Sequence, residues 1–144
     1  MRPLPTLYSR IFAKRAAIAG ISLALGLSLA SCSRPVSPAK ITSVFTIGTI
    51  AIQTADTDRA WLKMKEALKL APEEPAIWAN LGLLQLRAND TDAATTSLNK
   101  AVSLLPNDTA PQTRAAIEAL LALVADKKGD TAGAVTHLTR ATSL

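Results

Sequence analysis

The 144-residue sequence holds one cysteine, one histidine and few aromatic residues, 3% of the chain. A lone Cys32 excludes an intrachain disulfide and any site built on several thiolates. A lone His137 leaves little material for a histidine metal centre or a histidine-based triad. With aromatics so scarce, the 49% hydrophobic content is mostly Ala and Leu, a composition that packs helices closely and suits sandwiches and barrels poorly. The length allows one domain, or one domain with an appendage, and is too short for a barrel enzyme. Acids are also absent before Asp56, although Arg2, Arg10, Lys14 and Arg15 fall within the first fifteen residues. The net charge of +5 is therefore unevenly placed. Residues 32–144 carry 12 Lys and Arg against 11 Asp and Glu, so the basicity belongs to the N-terminal stretch. A polyanion-binding role fails on that distribution.

Residues 16–30, AAIAGISLALGLSLA, are uncharged and strongly apolar. At ~1.5 Å per residue such a helix is shorter than the ~30 Å hydrocarbon core of a bilayer. A basic segment followed by an apolar run of this length has the form of a secretory signal. Leu29-Ala30-Ser31-Cys32 then resembles the lipobox of bacterial lipoproteins: a branched apolar residue, two small residues, and the cysteine that is acylated. The chain's one cysteine stands at the one place where a lipobox needs it. The resemblance implies cleavage before Cys32, acyl chains such as palmitate on that residue, and an envelope location facing the periplasm or exterior. Two or three acyl chains hold a protein stably, whereas one holds it marginally. Ser33, in place of an Asp, favours the outer membrane in a Gram-negative cell. Residues 33–40, SRPVSPAK, read as a short extended tether.

The remainder repeats. Ala55-Asp56-Thr57-Asp58-Arg59-Ala60 recurs 34 residues later as Asn89-Asp90-Thr91-Asp92-Ala93-Ala94, and after a further 40 as Gly129-Asp130-Thr131-Ala132-Gly133-Ala134. Residues 75–108 supply Trp78, Leu81, Gly82, Ala94, Leu98, Ala101 and Pro106. Together, the period and these residues resemble the tetratricopeptide repeat (TPR) family. Residues 41–74 follow with Val44, Ile47, Gly48, Ala60, Met64, Ala67 and Pro72, and residues 115–144 with Leu121, Ala122, Ala134, Leu138 and Ala141. Gln85 and Ala51 depart from the family's usual Tyr, and Ala122 replaces its Gly. Six extra residues lengthen the second join.

The expected architecture is all-α, a solenoid of three repeats behind a lipoprotein signal. Its segments are 1–31 (signal), 32–40 (lipidated Cys and tether) and 41–144 (repeats). The spacing predicts helices near 42–54, 58–70, 76–88, 92–104, 114–127 and 131–143. Asp56, Asp90 and Asp130 fall where they can cap the second helix of each repeat, and Pro72 and Pro106 end theirs. The β-branched run Ile41–Ile47 by itself also reads as a strand; the repeat register favours helix.

In this family partner segments lie on the concave face made by the first helix of each repeat. Carried over by position, that face holds Phe45, Thr49, Ile52 and Gln53; Ala79, Asn80, Leu83, Leu86 and Arg87; and Ala119, Leu120, Leu123 and Lys127. The set is largely apolar, which suits an apolar or amphipathic segment. The Lys, Arg and Asn cluster that clamps C-terminal carboxylates in one TPR subclass is missing, with Asn80 its one match. Trp61 and Trp78 read as core. His137 reads as solvated or partly packed, with no clear acid partner, and no nucleophile–base set is visible. No enzyme activity, cofactor or metal is expected. The resemblance implies a membrane-anchored protein–protein interaction adaptor of the cell envelope. The alternative is a non-catalytic accessory or regulatory subunit of an envelope enzyme or assembly complex, acting as a homodimer through Val135, Leu138 and Thr142.

Overall fold

The computed structural model describes residues 37–144, which form six α-helices and, among these residues, no strand. They are α1 (Pro38–Gln53), α2 (Thr57–Leu70), α3 (Pro75–Arg87), α4 (Thr91–Leu104), α5 (Pro111–Lys127) and α6 (Thr131–Thr142). None is long and apolar enough to cross a membrane. The helices pair as α1/α2, α3/α4 and α5/α6; α2 then packs on α3, and α4 on α5. The odd helices also touch one another, α1 with α3 and α3 with α5, while the even ones do not. The odd helices therefore line the inner side of the curve.

Each pair turns on the same device. Ala55, Asn89 and Gly129 take left-handed backbone with φ of 58°, 62° and 77°. The next residue's N–H reaches back to close the first helix: Asp56 to Ala51 O, Asp90 to Gln85 O and Asp130 to Ala125 O, each 2.9 Å. This is a Schellman ending. The same aspartates cap the following helix, accepting from the N–H groups of Arg59, Ala93 and Gly133 at 3.3, 3.1 and 2.8 Å. One residue thus ends one helix and starts the next, which explains the recurrence of Asp-Thr at this point.

Two helices begin earlier than the spacing predicts. Proline at the first helical position starts α1 at Pro38 and α5 at Pro111, rather than near 42 and 114. The last three residues of the expected tether are therefore helical. Ser37 Oγ caps α1 by accepting from Lys40 N at 3.3 Å. The threonines that weaken this segment's helix propensity are satisfied within it: Thr42 donates to Pro38 O and Thr49 to Phe45 O, both at 3.0 Å. Burial of Ile41, Val44, Ala51 and Ile52 then outweighs the β-branched bias.

The apolar interior forms two clusters. The first joins Val44, Ala51 and Ile52 to Ala60, Met64 and Ala67 of α2 and to Ile77 and Leu84 of α3. The second joins Leu86 to Ala94, Leu98 and Ala101 of α4 and to Ile117, Leu121 and Val124 of α5. Small residues set the helix crossings. Gly82 lies against Leu98, and Gly48 against the end of Met64. Trp78 is half-buried on the second cluster, and its indole donates to Pro72 O at 2.7 Å, fixing the inter-repeat turn.

Candidate partner-binding groove

A groove of about 420 Å³ opens between α3 and α5 on the inner side of the curve. Ala79, Asn80 and Leu83 of α3 face Ala116, Ile117 and Leu120 of α5. Gln112 and Thr113 border it at the start of α5. No ionisable side chain lines it. Ile117 closes the floor, while Ala116 is exposed at the surface. Leu123 lies one turn beyond Leu120 on α5 and is 53% exposed. A segment entering here would meet apolar walls and a few neutral hydrogen-bonding groups.

The structure brings Ala79, Asn80, Leu83 and Leu120 together as the spacing suggests, and leaves Leu123 exposed seven residues on from Ala116, beyond the residues that line the groove. It adds Gln112 and Thr113, missed because the helix starts at Pro111 rather than near 114, and Ala116 and Ile117, which lie within the expected helix but are not placed on this face by repeat position. Leu86 does not join them; it is 5% exposed and belongs to the second core cluster. Leu86 lies two turns beyond Ala79 on nearly the same side of α3, and there the packing of α5 covers it. Ile52 is likewise core. Arg87 is committed to a structural bond, donating from Nη1 to Ile52 O at 2.8 Å and bracing α3 against α1. On α1, Phe45 packs half-buried on the first cluster, and Thr49 turns its hydroxyl to Phe45 O. Leu29, Ala30, Ser31 and Cys32, with the signal, lie outside the described residues.

His137 corrects a second expectation, because it has an acid partner. Its Nδ1 lies 2.7 Å from Glu118 Oε2, with Glu118 largely buried. Glu118 stands at the register position of Trp78, a half-buried site in the middle repeat. A charged residue in such a site demands a partner, and that mismatch was the available signal in the sequence. Close by the groove, Glu74 precedes α3, and burial raises its carboxyl above the usual range, with the Ala76 N–H partly opposing. On the outer side Lys128 pairs with Asp92 at 2.7 Å, holding that carboxyl below its ordinary range. Lys127 donates to Asn89 Oδ1 at 3.0 Å. These contacts tie the third repeat to the second.

Residues 75–108 match the family model described as tetratricopeptide repeat. That segment is thus a tetratricopeptide repeat, and an all-α helical-repeat fold surrounds it. Among solved structures it is similar to the globular C-terminal domain of P. aeruginosa LpoP, with 22% identity and a TM-score of 0.65. That match covers 74% of this chain and 99% of the LpoP domain, and shows a shared fold. No curated protein matches the sequence.

Proposed function

We propose that this protein is a lipid-anchored, non-catalytic adaptor of the bacterial cell envelope that holds an apolar segment of a protein partner between α3 and α5. The observation that carries the reading is the groove itself, uncharged, apolar-walled and positioned on the inner face of a protein-interaction fold. The N-terminal sequence supplies the anchor: a basic start, an apolar run and a lipobox-like Leu29–Cys32 ahead of the helices. The similar part of LpoP is likewise a globular C-terminal domain, and placement at the outer membrane is the favoured location. A second reading, an accessory subunit that works through self-association, draws on the exposed Val135 and Leu138 of α6.

Two changes test the two halves of the proposal separately. Cys32→Ser should abolish incorporation of labelled fatty acid and release the protein from membranes; labelling that persists contradicts the anchor. Ala116→Glu places a charge in the groove at an exposed position without removing core packing. Partner capture should then fall at least tenfold with helicity unchanged, and undiminished capture moves the site elsewhere.

A further inference from the structure

The repeat register leaves one apolar stripe uncovered at each end of the described helices. On second helices, Trp61–Met64–Leu68 and Thr95–Leu98–Val102 are equivalent, 34 residues apart. The next first helix covers both. Met64 and Leu98 are fully buried. Leu68 packs into the cluster holding Ile77 and Leu84 of α3, and Val102 into the one holding Ile117, Leu121 and Val124 of α5. The third member of the series is Val135–Leu138–Thr142 on α6. Among the described residues nothing covers it, and Val135 and Leu138 are 57% and 51% exposed.

First helices show the reverse. Ile77–Leu81–Leu84 and Ile117–Leu121–Val124 do the covering, and all six residues are buried. Their counterpart on α1 is Ser43–Ile47–Ile50, where Ser43 is exposed and Ile50 is 52% exposed. The two uncovered stripes are thus the two halves of a joint that the chain builds twice internally.

We infer that α6 of one copy packs against α1 of a second copy, head to tail. Two facts favour this pairing over α6 against α6. The second-helix stripe meets a first-helix stripe at both internal joints, and no two even helices touch. Neither open stripe carries a charge, so neither must desolvate an ion on contact. A polar brace is also in register. Arg87 reaches back across the first joint to Ile52 O, Lys127 across the second to Asn89, and Gln53 offers an amide N–H at the same position on α1. A hydroxyl residue at one end of each stripe, Ser43 or Thr142, makes this joint less apolar than the internal ones, and therefore weaker and reversible. Such a contact is heterologous, so it extends into a chain or closes into a ring rather than stopping at a two-fold dimer. It leaves the α3–α5 groove open and does not depend on what that groove binds.

Antiparallel order at the internal joints sets Ile50 against Val135 and Ser43 against Thr142. The test uses the full chain carrying Ile50→Cys with Val135→Cys, treated with a short bismaleimide. The unsubstituted chain, whose one cysteine is Cys32, gives the background. The double variant should form a ladder of dimers, trimers and larger species. Each single variant should stay at background, and a mixture of the two singles should give dimers and nothing larger. Dimers from Val135→Cys alone would mean that two α6 faces meet. A double variant held at background would mean that the stripes are covered in another way; either result overturns the inference. Ser43→Cys with Thr142→Cys, away from the core clusters, repeats the test should the first pair lose helicity, and the same outcomes decide it.

Discussion

Gly82 of α3 lies so close to Leu98 of α4 that a β-carbon there would stand 2.7 Å from Leu98 Cγ. Leu98 is fully buried in the second cluster and its Cγ is not a free end that can swing away. Gly82→Ala should destabilise the protein by up to about 2 kcal/mol, the overpacking cost of about 1–3 kcal/mol less the gain of about 1 kcal/mol in helix propensity. At Gly48 the closest obstruction is the flexible end of Met64, so Gly48→Ala should be the milder change. Chemical denaturation of both variants checks the order.

Ala55 holds left-handed backbone at the position where Gly129 stands in the third repeat. For an L-residue that conformation costs roughly 1–2 kcal/mol, while the freer unfolded chain of glycine returns about 0.4–1 kcal/mol. Ala55→Gly should therefore stabilise the protein by about 0.5–1 kcal/mol, and Gly129→Ala should do the opposite. A rise in Tm for the first and a fall for the second are the expected readings.

Glu118 and His137 form the largely buried polar contact between α5 and α6. His137→Ala leaves the carboxylate without its donor and should cost about 1–3 kcal/mol. A double-mutant cycle with Glu118→Ala should show a coupling of about 1 kcal/mol or more. Independent, additive effects would mean that the pair contributes nothing beyond its separate packing.

Glu74 gives a pH dependence whose sign follows from its raised carboxyl. The folded state favours the protonated form, so stability is lost as pH rises from the ordinary carboxylate range through the raised value. Glu74→Gln removes that loss. The variant should have the higher Tm at neutral pH, with the advantage shrinking as the solution is acidified below the carboxylate range.

The helix count, the pairing and part of the groove were legible because small residues, aspartate caps and prolines recur at fixed spacing. Ala79, Asn80, Leu83 and Leu120 could be placed by register alone. Leu86 could not, because its burial depends on the packing of α5 against α3 rather than on its position in one helix. The early starts at Pro38 and Pro111 were readable from proline's preference for the first turn, but the repeat register masked them. Glu118 and His137 lie 19 residues apart on different helices; only their packing brings them together. Arg87, an exposed charge by pattern, proves to be a brace because the carbonyl of Ile52 lies within its reach.

The most direct measurement of the groove's role is site-specific photocrosslinking in the intact envelope, with a photoreactive residue at Leu123, one turn beyond the groove's Leu120, or at Leu62 on the exposed outer side of α2. The probe at 123 should yield a discrete adduct with another protein, lost when Ala116→Glu is added, while the probe at 62 yields none. An adduct formed from 62 and not from 123, or one at 123 indifferent to Ala116→Glu, would contradict binding between α3 and α5.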